Sequence, residues 1–176
     1  MNLIVSDSTI IITLLNIERV DILKNIFDEV YIPTKVYNEV VVEEDVTLEA
    51  SFFIKKEIED RTLYKLLSRS LDAGESEAIV LAKEMKLSLI IDEKKGRGIA
   101  NNMGINIIGF LGLLLLNHKK KYLHEEEILE VYNSAKEASF RVSQRLEEQF
   151  FTLLEVSAAE HRLSEKSIEA DVFFED

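Results

Sequence analysis

Two short runs, Leu3-Ile4-Val5 and Leu89-Ile90-Ile91, are apolar at every position, and an aspartate follows each within two residues (Asp7 and Asp92). A strand with one wet face alternates polar and apolar residues. An unbroken apolar run suits a strand covered on both faces, as at the centre of a parallel sheet. Parallel neighbours need a crossover connection, and helical patterns do lie between the strand-like runs. The chain therefore reads as an α/β fold, a central parallel sheet flanked by helices.

The remaining elements follow from local signals. Ser8 or Thr9 is placed to cap a helix through Leu15. A second helix is expected over 19–27 and a strand over 29–32. Pro33-Thr34 opens a helix carrying Val36, Glu39 and Val40, since proline loses nothing in a first turn. Residues 44–70 read as helical, with boundaries that Val46-Thr47 and Ser51-Phe52-Phe53-Ile54 leave open. Leu71-Asp72-Ala73-Gly74 breaks that pattern and starts a helix through Lys86. The strand at 89–91 leads to a helix over 96–103 closed by Gly104, a strand over 106–108 and a helix over 110–117. Beyond His124 only helical patterning is seen, in two helices over 124–137 and 142–156 and then an acidic end. The expected organisation is an α/β domain over 1–123 and a helical extension over 124–176.

The 176 residues, 47% of them hydrophobic, suffice for a proper core. The absence of cysteine excludes disulfides and thiolate metal sites and fits a reducing cytoplasm. The N-terminus lacks the basic start and cleavage site of a signal peptide. The most apolar segment, 105–116, holds two glycines and is shorter than the ~20 residues of a spanning helix. A cytoplasmic protein without a membrane partner is expected. The net charge is −12, but 124–176 carry 14 acids against 5 bases and the rest is nearly balanced. A polyanionic partner for the first part is thus not excluded by charge.

In an open parallel sheet, sites form beyond the carboxyl ends of the strands. If the strands ending in Asp7 and Asp92 are neighbours, the two carboxylates stand side by side. Each aspartate could instead simply cap the helix that follows. Asp72-Ala73-Gly74-Glu75 likewise fits a capping box, yet Glu75 also shares the apolar line of Ala78, Ile79 and Ala82 and points toward the same rim. Glu77 lies off that line and is expected to face solvent. Glu39 flanks the buried face of its helix. Four converging acids repel one another unless a hard divalent cation such as Mg²⁺ or Mn²⁺ joins them, and such an ion can activate water against a phosphodiester. Lys94, Lys95 and Arg97 are either a solvated helix face or phosphate contacts. The three histidines (His118, His124, His161) have no zinc spacing. Gly96-Arg97-Gly98 lacks the third glycine of a dinucleotide fingerprint.

The segments "IVSDSTIIITL", "VYIPTKVYNEV", "LDAGESEAIVLA", "LIIDEKKGRGIANNMGINIIGFLGLLL" and "ASFRVSQRL" resemble the PIN-domain family, in particular its prokaryotic branch DUF3368. They stand in the family's order over about residues 3–155. The resemblance implies a Rossmann-like PIN fold and metal-dependent RNA cleavage by clustered acids. Asp7, Glu39, Glu75 and Asp92 take the places of the family's acids, as catalytic residues and ligands of Mg²⁺ or Mn²⁺. Glu75 stands where many relatives have aspartate, and Glu93 is a further candidate ligand. Ser8, Lys94, Lys95 and Arg97 are candidate substrate contacts. Many such proteins are toxins held by a small antitoxin, so RNA and an antitoxin are the expected partners. The apolar positions of the helices in 124–176 either pack on the domain or on a second copy of it, a homo-oligomer, or form a docking surface for a basic antitoxin segment. This branch often departs from the full acidic set, and the alternative is a catalytically weak or inactive protein-binding module. Here all four positions are acidic.

Overall fold

The structure, a computed structural model, describes residues 1–172, with side chains through Ser164. The chain forms two compact units, Met1–Leu113 and a second that begins at Leu114.

The first unit is built on five parallel strands: β1 (Leu3–Ser6), β2 (Glu29–Pro33), β3 (Phe53–Lys56), β4 (Leu89–Ile90) and β5 (Ile107–Ile108). Their order is β3-β2-β1-β4-β5. β1 is central, as its apolar run requires, and Ile4, Val5, Leu89 and Ile90 are all at most 2% exposed. Each such side chain contributes about 1.5–3 kcal/mol relative to its exposed state. β1 pairs with β4 with Val5 level with Leu89 and Ser6 with Ile90. The chain runs outward from β1 to β2 and β3, then returns to the other side of β1 for β4. The order thus reverses between β1 and β4, and a crevice opens there at the strands' carboxyl ends.

The helices of this unit are α1 (Ser8–Asn16), α2 (Asp21–Lys24), α3 (Thr34–Tyr37), α4 (Arg61–Leu67), α5 (Ala73–Met85) and α6 (Lys94–Asn102). α3 widens into a π-helical turn over Asn38–Glu43. α5 begins in the expected capping box: Asp72 Oδ1 accepts from the Glu75 N–H at 2.7 Å and the Asp72 N–H donates to Glu75 Oε2 at 3.3 Å. α6 is followed by Gly104 at φ +76°, a left-handed turn for which glycine is the natural residue.

Three sequence expectations are corrected here. Residues 44–70 are not a continuous helix. Phe53–Lys56 pairs in parallel with β2, Val30 level with Phe53, because aromatic and β-branched residues fit a sheet edge. Lys55 and Lys56 point to solvent there, which discourages further strand addition. The helix expected over 19–27 shrinks to Asp21–Lys24, since Glu18 takes a left-handed turn (φ 57°) just before it. Glu77 is buried, at 2% exposure, not solvent-facing.

α7 (Phe110–Lys119) spans the division between the units, and the second unit adds α8 (Glu125–Glu137) and α9 (Gln144–Val172). α9 runs well past the expected end at 156, so the acidic end is helical as far as Val172. The part of that end over 173–176 lies outside the described residues. Within this unit Tyr132 packs on Phe150 and Phe151 with ring centroids 5.4 Å apart. Its hydroxyl and Lys136 Nζ both donate to Glu147 Oε1. His118, buried on α7, meets Ser157 Oγ at 2.7 Å and stacks on His161 at 4.6 Å, a pairing that sequence spacing does not reveal.

Candidate active site

The register carries both aspartates to the crevice. Asp7 follows β1 directly, and its N–H donates to the Ile90 carbonyl at 3.1 Å, which ties the first strand's end to β4. Its side chain is buried and Oδ1 has no hydrogen-bond partner. A buried carboxylate oxygen left unpaired is costly. Burial accordingly pushes the Asp7 carboxyl well above the usual range, with the charges of Asp92 and Glu75 adding to the rise and the Ile10 N–H opposing it.

Asp92 follows β4. Both its oxygens accept from the Phe110 N–H, at 3.3 and 3.2 Å, and Arg97 Nη1 lies 3.8 Å from Oδ1. Burial raises its carboxyl, while that N–H and the Arg97 charge pull it back. Glu75, in the first turn of α5, is pushed up to about 7, first by burial and then by Asp72. Glu39, on the π-helical turn, is also raised by burial, and its hydrogen bond with Ser8 opposes the rise.

The structure thus gathers Asp7, Asp92 and Glu75 in one electrostatic cluster. Glu39 joins through Ser8 and through Asp72, whose charge acts on Asp7, Glu39 and Glu75 alike. The capping role that sequence suggested for Asp72 and Glu75 is real, and it coexists with membership of the cluster. Sequence reasoning missed the electrostatic part of Asp72, whose only signal was the cap. Glu93 is engaged as the N-cap of α6, accepting from the Gly96 N–H at 2.8 Å.

Helix starts explain how so many acids gather. Asp7 precedes α1, Asp72 precedes α5, Glu93 precedes α6, and Asp92 sits on the first N–H of α7. Each helix start presents unpaired N–H groups and a partial positive charge. Close packing on glycine leaves room for two of the carboxylates. A Cβ on Gly74 would lie 2.6 Å from Glu39 Oε1 and one on Gly109 2.5 Å from Asp92 Oδ1.

Glu77 supports the arrangement from behind. Its Oε2 accepts from the Lys35 N–H at 2.8 Å, an orphan donor in the first turn of α3. It thereby holds the segment that carries Glu39. Of the basic residues, Arg97 turns inward and also donates to the Ile91 carbonyl at 3.2 Å. Lys94 and Lys95 are exposed and line an open depression of about 440 Å³ with Glu93, Gly98, Ile99 and Asn102; none of the four acids lines it.

The donor set is all carboxylate oxygen, which suits Mg²⁺ or Mn²⁺ rather than zinc or copper. The unpaired Asp7 Oδ1 and the mutually raised carboxyls are what a cation would relieve. Among the described residues, however, no three acidic or histidine side chains stand close enough to ligate one ion as they lie. The donor set fits the ion in chemistry.

The family model DUF3368, described as a PIN domain, matches residues 3–156. A PilT N-terminus domain protein from the hyperthermophilic archaeon Sulfolobus solfataricus P2 superposes with a TM-score of 0.50 at 22% identity, over 64% of this chain and 90% of that one. That likeness shows the fold. No match is found among curated proteins.

Proposed function

The chain belongs to the PIN-domain family DUF3368, and from that premise we propose that it is a metal-dependent ribonuclease hydrolysing RNA phosphodiester bonds, the toxin of a type II toxin–antitoxin pair. PIN domains are a nuclease-type fold, and the observation that carries the finer reading is the buried, unpaired carboxylate oxygen of Asp7 beside two further acids with raised pKa values. Asp7 and Asp92 would hold Mg²⁺ or Mn²⁺, with Glu75 and Glu39 completing the set. When bound, the ion supplies charge neutralisation and Lewis-acid activation of water toward a phosphodiester.

The chain's own residues do the rest. Asp92 is oriented by the Phe110 N–H and Arg97. Glu75, with its pKa near 7, is suited to take up or release a proton close to neutrality. Ser8 steadies Glu39. Lys94 and Lys95 are free to meet the RNA backbone. No described helix is long and apolar enough to cross a membrane, and we place the protein in the cytoplasm, where its RNA and a small antitoxin would be.

A second reading, a PIN-like module that acts by binding protein, is favoured by one observation: no three ligands converge among the described residues. Cleavage of a generic RNA with Mn²⁺ separates the two. The nuclease reading expects cleavage that chelator stops and Asp7→Asn abolishes in a folded protein. No cleavage by the wild type at any Mn²⁺ or Mg²⁺ concentration favours the binding module.

A further inference from the structure

α9 buries one face within its unit through Phe150, Leu154 and Ala158, and its adjacent face leaves Leu146, Leu153, Val156 and Leu163 between 49% and 69% exposed. With Gln149 and Glu160 these residues recur at alternating three- and four-residue spacings, the seam of a two-stranded coiled coil. The seam extends about 26 Å at 1.5 Å per residue. Glu160 and Leu163 lie beyond residue 156, where the family match ends, so the family model does not describe the whole seam.

The spacing is self-complementary. Reversed about the point between Leu154 and Glu155, the pattern maps Leu146 onto Leu163, Gln149 onto Glu160 and Leu153 onto Val156. A two-fold axis through that point pairs each apolar residue with an apolar one, as an isologous interface demands. The polar position also finds its complement, since the Gln149 amide can donate to the Glu160 carboxylate of the other helix. Arg145 flanks the seam one turn from that carboxylate. Both Arg145 and Glu160 are exposed and take part in no ion pair among the described residues. Thr152 and Ala159 border the seam with small side chains that permit close approach.

We propose that this face of α9 is a homodimer interface, in which two copies of the chain pair their α9 helices antiparallel with Leu153 of one against Val156 of the other. Sedimentation equilibrium at about 10–100 µM chain should give twice the chain mass. Leu153→Glu/Val156→Glu sets like charges opposite each other and should give the monomer mass. Leu153→Lys/Val156→Glu sets a cation opposite an anion only in the antiparallel register and should restore the dimer. The chain has no cysteine, so a disulfide test is clean. Leu146→Cys/Leu163→Cys should cross-link into a covalent dimer on oxidation, and neither single variant should. These positions are exposed, so folding, checked by circular dichroism, should persist. If the charged variants fail to fold, the cysteine pair still decides. A monomeric wild type, a dimer that survives Leu153→Glu/Val156→Glu, or cross-linking by a single cysteine overturns the proposal, as does a wild-type chain that stays monomeric while binding some other protein through this face.

Discussion

Replacing Glu77 with alanine should destabilise the first unit and disable the site without touching any of the four acids. Glu77 is 2% exposed and its Oε2 is the acceptor for the Lys35 N–H at 2.8 Å. Truncation leaves that donor without its partner at the part-buried start of α3, costing about 1–3 kcal/mol. The Arg61 contact at 3.6 Å adds little, because Arg61 is 56% exposed and its charge is screened. The one lost methylene adds about 0.8 kcal/mol. For a chain of this length each kcal/mol lowers Tm by about 2–4 °C, so a fall of about 4–16 °C is expected. Glu77→Gln keeps an oxygen acceptor in place and should cost less than about 1 kcal/mol. Because α3 leads directly into the turn that carries Glu39, Glu77→Ala should also weaken any stabilisation by Mn²⁺. Thermal melts of wild type and both variants, with and without Mn²⁺, make the test. An alanine variant as stable as wild type would mean that Glu77 faces solvent after all.

Gly109→Ala forces a methyl to within 2.5 Å of Asp92 Oδ1 and Arg97 Nη1, and if Asp92 acts as proposed, a displacement of about 1 Å there should cost ~10²-fold in the rate of RNA cleavage. Gly98 has nothing within 4 Å of its would-be Cβ, so Gly98→Ala should leave the rate unchanged and stabilise by about 0.5–1 kcal/mol, read by denaturant titration. In metal-free protein, Asp7 and Glu75 have folded pKa values above their unfolded ones, so each favours the fold when protonated. That contribution is complete below the ordinary carboxylate range of about 4 and fades as pH rises through the folded value, about 7 for Glu75. Asp7→Asn should thus raise Tm at neutral pH and flatten the loss of stability between acid and neutral pH. A variant less stable than wild type at pH 7.5 would contradict this.

What the sequence reveals depends on whether a residue's fate is set locally. Leu3-Ile4-Val5 and Leu89-Ile90-Ile91 announce a buried parallel sheet by themselves, and the cap Asp72–Glu75 is a four-residue signal. Residues 53–56 were hidden because a short apolar run suits helix and strand alike, and only the exposed edge of β2 decides. Glu77 lies off the apolar stripe that the sequence shows, so its burial is not legible there. α5 packs against β1, β2 and β4 as well as α3, α4 and α6, and Ser76, Glu77 and Ala78 through Ala82 are all buried. The pairing of His118 with His161 is set by how α7 and α9 meet, which no local pattern encodes. The packing of Gly74 on the Glu39 carboxylate and of Gly109 on that of Asp92 joins residues far apart in the chain, so no local pattern shows it.

Mn²⁺ titration followed by electron paramagnetic resonance tests directly whether the Asp7–Asp92 crevice is the divalent-cation site proposed above, because free Mn²⁺ loses its sharp signal when bound. Wild type should show saturable binding that Mg²⁺ competes away, and Asp7→Asn should lose it while keeping its circular dichroism spectrum. Equal binding by wild type and Asp7→Asn, or no saturable binding by wild type, would contradict the account.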